Sequence, residues 1–319
     1  MIPSNYSKII LFGIEMDPSR SFSVGPFDVR LYGVMIALGL ILAVAYGLWQ
    51  KKRYGLNEDQ ILDGVLIIVP IAIICARLYY CAFEWESYAA NPIKIFYIWE
   101  GGIAIYGAVI GAMISAAIYC KVRKMSILAT LDITVLGFLI GQSIGRWGNF
   151  FNREAVGYLG DNLNWFLRMG LFNEVTGQYE YFHPTFLYES LWNAAGFLLL
   201  HFLSGRRKYD GQIALGYCAW YGLGRTFIEG LRMDSLYWGP FRVSQLLAAV
   251  TCFAATVLLV ALSFRSYDPA KLYVNRVAAA EKAEPEEAPA EEEAAEEAPA
   301  EEAPAEEAPA EEAPAPDEQ

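Results

Sequence analysis

The sequence has few of the residues that build metal centres and disulfide frameworks. It contains two histidines, His183 and His201, and five cysteines, none of which forms a C-x-x-C pair. Zinc sites, redox dithiols and disulfide scaffolds all need more of these residues at closer spacing. We therefore interpret the cysteines as small apolar residues and expect no bound metal. Nucleotide-binding motifs are lacking as well, and we expect no cofactor and no nucleic-acid partner.

Charge is scarce and unevenly distributed. Charged residues make up 19% of the chain, whose net charge is −12. Residues 281–319 contain 17 acidic residues and one lysine, so the rest of the chain carries a net charge of +4. This segment repeats "EEAPA" and has no large apolar residue, a composition that cannot bury a core. We predict a folded domain over residues 1–270 and a disordered acidic tail over residues 271–319.

Long apolar runs dominate the remaining sequence. Each run approaches the roughly 20 residues that a helix needs to cross the hydrocarbon core of a bilayer. They are too long, and too rich in Leu, Ile and Ala, for the alternating strands of a membrane barrel. The sequence therefore predicts an all-α polytopic membrane protein with about seven transmembrane helices. The runs lie near residues 31–49, 62–82, 103–120, 127–145, 186–203, 212–230 and 243–263.

Basic clusters predict the orientation of these helices. "KKRY", "KVRK" and "GRRK" follow the first, third and fifth runs, and Arg265, Lys271 and Arg276 follow the seventh. Because cytoplasmic loops carry an excess of Lys and Arg, we expect the N-terminus outside and the C-terminus with its tail in the cytoplasm. The turn-rich segment at about 148–185, between the fourth and fifth helices, is then a small external head.

Three arginines are placed where this topology expects few cations. Arg77, Arg146 and Arg225 lie among apolar or glycine residues toward the outer ends of their runs. One alternative is snorkelling to lipid headgroups. The other is a shared anionic site, because charges at membrane depth usually face a partner or a polar cavity. The arginine fork matches phosphate, which suggests a phospholipid headgroup as the ligand.

The stretch "GRWGNFFNREAVG", from Gly145 to Gly157, places two arginines, two asparagines and a glutamate close together at the end of an apolar run. Asn149 and Asn152 lie three residues apart, on one face of a helix. Their amides could bind a glycerol hydroxyl or an ester carbonyl, or cap a broken helix end. Glu154 could pair with an arginine, act as a base, or be a surface acid.

Two further groups of polar residues lie at the predicted outer ends of the apolar runs. One helix face carries three charged residues of "GLGRTFIEGLRMD", namely Arg225, Glu229 and Arg232. These residues could belong to a functional site, or they could form a row of ion pairs that only stabilises the helix. Tyr106 stands one turn inside the third run, and Tyr32 opens the first run. The G-x-x-x-G spacing of Gly107 and Gly111 is typical of helix packing.

These motifs resemble those of the prolipoprotein diacylglyceryl transferase family of bacterial inner membranes. The family signature G-R-x-G-N-F-x-N-x-E-x-x-G is present from Gly145 to Gly157. Four further motifs occur in the family's order: "RLYG" and "GG…YG" before the signature, and "HPTFLYE" and the R…E…R pattern after it. The resemblance therefore covers roughly residues 22–265.

The resemblance implies a reaction, its substrates and a location. The family transfers the diacylglyceryl unit of phosphatidylglycerol to the lipobox cysteine of a prolipoprotein signal peptide, within the cytoplasmic membrane and among its lipids. The thioether is the product, glycerol phosphate leaves, and the active site faces outward. Arg146 and Arg225 would bind the phosphate. The same site would include Asn149, Glu154, Gly157, Glu229 and Arg232, with Tyr32 nearby. From their own positions in the sequence, we also expect Arg77 and Asn152 to bind the phospholipid there.

Tyr106 departs from the family pattern, because many members have a histidine at this position. That histidine is a proposed base for the thiol, and tyrosine is a weak base at neutral pH. Three interpretations remain: Tyr106 is tuned by an arginine, another group is the base, or the position serves orientation. A lipid or solute transporter is the alternative function, since it too would place arginines at membrane depth. Transporters usually show internal repeats and midplane sites, which this sequence lacks.

Overall fold

The computed structural model of the protein describes residues 6–98, 101–160, 163–164, 166–233 and 237–283. Seven helices of at least 18 residues coincide with the seven apolar runs. They are α1 (Leu31–Gln50), α2 (Glu58–Phe83), α4 (Ile105–Val122), α5 (Ile127–Asn152), α6 (Thr185–Ser204), α7 (Gln212–Leu231) and α8 (Val243–Ser263). Two shorter helices are α3 (Trp85–Ala89) and α9 (Tyr273–Ala283).

Five of the long helices, α1, α2, α4, α5 and α8, are long and apolar enough to cross a membrane. Their apolar side chains are largely uncovered by protein; only 11% of the most apolar part of α8 is buried. Exposed apolar surface on this scale is typical of contact with lipid. The chain is therefore a largely helical, multi-pass membrane protein. The other two long helices, α6 and α7, are less apolar, and the count of seven spans stays a prediction.

Side chains near the helix ends determine where several helices begin. Asn57 accepts a hydrogen bond from the Gln60 backbone N–H while the Gln60 side chain accepts one from Asn57, which forms a capping box for α2. The fully buried Asp132 of α5 accepts hydrogen bonds from the backbone N–H groups of Gly211 (2.8 Å) and Ala214 (2.9 Å). Asp132 therefore caps the first turn of α7 and ties it to α5.

Helix α4 packs closely along α2 because glycines of α4 lie at the contact. A Cβ atom on Gly107 would lie 2.5 Å from the Cys75 carbonyl oxygen and 2.9 Å from Ala76 Cα, and one on Gly111 would lie 2.5 Å from Cys75 Cβ. Backbone atoms cannot move aside as the end of a flexible side chain can. The interpretation of Gly107 and Gly111 as packing residues agrees with this geometry.

We expect Gly107→Ala to lower the unfolding free energy by about 1–3 kcal/mol, because the added methyl group overpacks the α2–α4 contact. The matched control is Gly141→Ala in α5, whose Cβ would meet nothing within 4 Å. That change should be neutral or stabilising by up to about 1 kcal/mol. Thermal unfolding of both variants in detergent measures the difference, and equal midpoints would contradict the proposed close packing.

The expectation of an all-α fold is wrong, because the described residues include eight strands. They are β1 (Tyr6–Leu11), β2 (Ile14–Met16), β3 (Ser21–Val24), β4 (Phe27–Arg30), β5 (Met169–Asn173), β6 (Gln178–Phe182), β7 (Tyr237–Trp238) and β8 (Phe241–Arg242). β3–β4 and β7–β8 are two-stranded hairpins. The other four form an antiparallel sheet in the order β2-β1-β5-β6.

This sheet is the folded centre of the head. Ile9 and Leu11 of β1 and Met169 and Leu171 of β5 are almost completely buried, together with Phe186 at the start of α6. The head therefore includes the N-terminal strands as well as residues from the predicted segment 148–185. Its start is also later than predicted, because α5 continues to Asn152.

The C-terminal part of the fold extends beyond the predicted boundary at residue 270. The Tyr273 backbone N–H donates to Asp210 Oδ2 (2.9 Å), and the buried Tyr273 ring belongs to the main helix core. Because Tyr273 opens α9, the prediction of disorder from residue 271 is wrong for the described residues up to 283. The EEAPA repeats from residue 284 lie outside the described residues.

Candidate active site

The signature stretch continues α5 by two turns and then leaves it abruptly. Asn149 and Asn152 are the last polar residues of α5, and Arg153 ends the helix in a left-handed conformation with φ 57°. This turn brings Glu154 back onto the helix end, where its Oε1 accepts hydrogen bonds from Asn149 Nδ2 (3.0 Å) and Asn152 Nδ2 (3.2 Å). Arg146 Nη1 in turn donates to Asn149 Oδ1 (3.4 Å). Asn149 thus links Arg146 to Glu154, and Asn152 adds a second hydrogen bond to the same carboxylate oxygen.

Glu189 of α6 is the centre of the arginine cluster. Its carboxylate is 3% exposed and forms ion pairs with Arg146 (2.5 Å), Arg225 (2.7 Å) and Arg232 (3.3 Å). These arginines come from α5, from α7 and from the residue that ends α7. One buried carboxylate therefore gathers three guanidinium groups from two helices, α5 and α7.

A second buried carboxylate, Glu229 of α7, faces the same cluster. Arg225 Nη2 lies 2.6 Å from Glu229 Oε2, and Arg232 Nε lies 4.0 Å from the same oxygen. Arg225 consequently bridges Glu189 and Glu229. Arg242 at the start of α8 donates to the Glu229 backbone oxygen.

The cluster has more positive than negative charge. Arg146, Arg225 and Arg232 face the carboxylates of Glu189 and Glu229, which leaves an excess of one positive charge. The side chains of the arginines are between 12% and 23% exposed, so the cations are accessible although their carboxylate partners are not. Each guanidinium group has five N–H donors in a planar fork. The three arginines can therefore bind an anion such as a phosphate in addition to the carboxylates of Glu189 and Glu229.

Reciprocal hydrogen bonds hold the three helices of the cluster in register. Between α5 and α6, Ser143 Oγ donates to the Ser190 backbone oxygen (2.9 Å) and Ser190 Oγ donates to that of Ser143 (2.8 Å). Between α6 and α7, Trp192 and Trp220 stack at 4.4 Å, and each indole N–H donates to the other's backbone oxygen. Polar contacts of this kind orient helices where apolar burial alone cannot. They place Glu189 opposite Arg146 and Arg225.

Comparison with known proteins identifies the family of the chain. Residues 19–261 match the family model for prolipoprotein diacylglyceryl transferase. The chain belongs to the prolipoprotein diacylglyceryl transferase family. Its expected membership, based on the signature around Arg146, is confirmed, and the chain is a transferase.

Individual relatives cover most of the chain. It is 43% identical over 250 residues to the phosphatidylglycerol–prolipoprotein diacylglyceryl transferase of Limosilactobacillus reuteri, an alignment that covers 75% of this chain and 89% of the relative. It is 45% identical over 231 residues to the protein of the same name from Bacillus cytotoxicus, with coverage of 70% and 84%. The corresponding protein of Listeria monocytogenes is 41% identical over 242 residues, with coverage of 74% and 86%.

Two further predicted site residues of this transferase lie beside the cluster. The Tyr32 ring packs against Gly148, where a Cβ would lie 2.6 Å from Tyr32 Cδ2, and Tyr32 is close enough to Arg146 and Glu154 for electrostatic interaction. Gly157 allows two segments to approach each other, because a Cβ there would lie 2.8 Å from the Leu231 carbonyl oxygen. Gly157 therefore supports the site through packing.

The predicted place of Arg77 in a shared anionic site is wrong. Its five N–H groups donate to five backbone oxygens of the loop before α4, so none remains for a phosphate. The acceptors are the carbonyl oxygens of Lys94, Ile95, Tyr97, Gly101 and Gly102. Arg77 is 4% exposed and serves to hold this loop against α2.

We expect Arg77→Lys to loosen this loop, because an ammonium group has three donors on one atom and cannot reach the carbonyls that the fork spans. Carbonyls left without a donor should reduce the unfolding free energy by about 2–4 kcal/mol. Hydrogen–deuterium exchange of the peptide covering residues 92–98 should accelerate. Lys94→Gln is the control, since only the backbone of Lys94 binds Arg77. Unchanged exchange in Arg77→Lys would contradict the assigned role.

Tyr106 lies outside the arginine cluster. It occupies the first turn of α4, which packs along α2, and it is 47% exposed. Among the residues that the structure describes, its hydroxyl has no hydrogen bond to Arg146, Arg225 or Glu154. The interpretation in which a neighbouring arginine tunes Tyr106 is without support in this geometry.

Glu189 is the central residue that sequence reasoning missed. It stands in "HPTFLYE", where the sequence indicates a polar residue at the outer end of the fifth run but no role for it. A signal for it existed, because arginines buried at membrane depth need carboxylate partners. Few acids occur on the predicted outer side of the helices, and counting them would have selected Glu189 together with Glu229.

Proposed function

We propose that this chain transfers the diacylglyceryl unit of phosphatidylglycerol to the thiol of the lipobox cysteine in a prolipoprotein signal peptide. The products are a thioether-linked lipid and glycerol phosphate. The observation that supports this proposal is the set of three arginines gathered by Glu189 beside the signature segment of α5. Such a cluster suits a phospholipid headgroup, whose phosphate carries negative charge near the membrane surface.

Arg146 and Arg225 are the proposed phosphate ligands. Arg146 approaches Glu189 from α5 and Arg225 approaches it from α7. Each arginine has N–H groups beyond those that bind the carboxylates. Arg232 and Glu229 hold Arg225 in position. Asn149, Asn152 and Glu154 form a hydrogen-bonded group adjoining Arg146, suited to the hydroxyl and ester groups of the lipid.

The chemistry is displacement at a glycerol carbon. The cysteine sulfur attacks the carbon that bears the phosphate oxygen, a sulfur–carbon bond forms, and the carbon–oxygen bond breaks. Negative charge develops on the departing phosphate, where Arg146 and Arg225 stabilise it in a site with little water. The helices hold both substrates at short range, which supplies orientation.

The topology belongs to the same proposal. Basic clusters after α1, α4, α6 and α8 lie at one end of the helices, and the arginine cluster lies at the other end. With the basic ends in the cytoplasm, all seven long helices span the bacterial cytoplasmic membrane, the N-terminus and head are outside, and the active site faces the outer leaflet.

A transfer assay tests the proposal. Purified protein is incubated with phosphatidylglycerol labelled in its acyl chains and a lipobox peptide, with the Cys→Ser peptide as control. We expect covalent label on the cysteine peptide only. Movement of label between leaflets or vesicles without any labelled peptide would instead indicate a lipid transporter.

A further inference from the structure

The transfer reaction needs a group that accepts the thiol proton. A free thiol has a pKa near 8.5 and is mostly protonated at neutral pH. A general base is most effective when its own pKa lies near the working pH, which is a property of imidazole. The chain contains two histidines, His183 and His201.

His183 lies beside the signature segment, between β6 and α6. Its backbone oxygen accepts from the Gly157 N–H (2.9 Å), and its N–H donates to the Tyr158 oxygen (3.2 Å). On the other side of this segment, Gly157 pairs with Arg232 in an antiparallel bridge. Adjacent extended segments lie about 4.8 Å apart, so the backbones of His183 and Arg232 are separated by roughly 10 Å. The backbone of His183 is therefore one extended segment away from that of Arg232, a member of the arginine cluster.

The contacts of Tyr188 favour one tautomer of His183. The Tyr188 hydroxyl lies 3.2 Å from the Leu167 oxygen, to which it can donate, and 3.4 Å from His183 Nδ1. With its hydrogen directed at Leu167, the hydroxyl accepts from the ring, an arrangement that favours a proton on Nδ1. In this tautomer Nε2 has the free lone pair and is the basic nitrogen.

The environment keeps the imidazole neutral. Burial lowers the pKa of His183 from its ordinary value and is the only cause of the shift. Among the described residues, the titratable and charged groups on the segments paired with it are Tyr188 from α6, Tyr158 from the adjacent segment and Arg232 beyond that segment. A neutral imidazole can accept a proton at pH 7, whereas an imidazolium cannot.

His201 offers a matched comparison because it lies in α6, far from the site. It is 16 residues after Thr185, the first residue of α6, and therefore about 24 Å along the helix. Its Nδ1 is hydrogen-bonded to the Tyr46 hydroxyl (2.9 Å), and its ring stacks on Trp49. This histidine belongs to the packing between α1 and α6.

We propose that His183 is the general base of the transfer reaction, a role that rests on the proposed function. The thiol proton passes to His183 Nε2 while the sulfur–carbon bond forms. The electron pair of the breaking carbon–oxygen bond leaves with the phosphate oxygen. The imidazolium then releases its proton to water or to the glycerol phosphate, which restores the neutral ring.

The test compares pH–rate profiles of wild type, His183→Gln and His201→Gln in the labelled-lipid assay. Loss of a general base costs about 10²–10⁴-fold, and we expect His183→Gln to lose about 100-fold in kcat at pH 7. The loss should shrink toward about pH 9, because the thiol there ionises without help. KM for phosphatidylglycerol should be unchanged. His201→Gln should follow the wild-type profile. In His183→Ala, added imidazole should restore part of the rate.

Other results overturn the assignment. A His183→Gln variant with the wild-type rate and profile would exclude the proposed base. A loss that is equal at all pH values and insensitive to imidazole would show that His183 has a structural role. If the wild type transfers no label, the proposed function itself is wrong. That outcome differs from one in which the wild type is active and the His183→Gln variant has the same rate.

Discussion

Arg225→Ala should reduce the rate of diacylglyceryl transfer by about 10³-fold. Arg225 joins both buried carboxylates, Glu189 at 2.7 Å and Glu229 at 2.6 Å, and its guanidinium group is the most central cation of the site. Removing one preorganised donor from a developing anion typically costs 10²–10³-fold, and Arg225 supplies a full charge as well. Arg146→Ala should cause a similar loss.

The measurement is the initial rate of label transfer to the lipobox peptide at equal amounts of membrane-inserted protein. Arg225→Lys retains the charge but loses the planar fork, and should be impaired about 10²-fold. The control is Arg123→Ala, because the ion pair of Arg123 with Asp63 is exposed and Arg123 forms no ion pair with Glu189 or Glu229 among the described residues. Transfer at the wild-type rate by Arg225→Ala or Arg146→Ala would refute the phosphate site.

Glu189→Gln should lower the unfolding free energy by about 3–5 kcal/mol. The substitution keeps the size of the side chain and removes the negative charge that Arg146, Arg225 and Arg232 share. Breaking a buried ion pair on one side is costly, because the remaining charge loses its partner without regaining water. The arginines should also repel one another and leave their positions, so transfer activity falls with stability.

Thermal or denaturant unfolding in detergent measures this effect. Asp63→Asn is the matched control, since it neutralises a carboxylate whose ion pair with Arg123 is about half exposed. Exposed pairs contribute less than about 1 kcal/mol. Equal stability losses in Glu189→Gln and Asp63→Asn would show that Glu189 does not organise the cluster.

Apolar run length identified the long helices because a membrane span needs a length and a composition that are visible in the sequence. The seven runs coincide with α1, α2, α4, α5, α6, α7 and α8. α6 and α7 are less apolar because they contain charged residues. They carry Glu189, Arg225 and Glu229, whose charges offset the hydropathy of their neighbours.

The sheet of the head was missed because its strands pair over a long distance in the sequence. Residues of β1 pair with residues of β5, more than 150 positions further along the chain. Short strands give a weak hydropathy signal beside membrane runs. No local pattern indicates which distant segment a strand will join.

The site was partly predictable, because Arg146, Asn149, Glu154, Arg225 and Glu229 stand in recognisable motifs. Arg77 was misjudged because its partners are backbone carbonyls of a loop, which no side-chain motif reveals. Glu189 was missed for a related reason. Its role depends on which helices are neighbours, and that information lies in contacts such as Ser143–Ser190 and Trp192–Trp220.

A structure of the protein with phosphatidylglycerol bound tests the central claim most directly. We predict that the phosphate oxygens lie within about 3 Å of the guanidinium nitrogens of Arg146 and Arg225. If His183 is the base, the glycerol carbon next to the phosphate should face it. A headgroup bound away from Arg146 and Arg225, with the arginine cluster still closed on Glu189 and Glu229, would contradict the account.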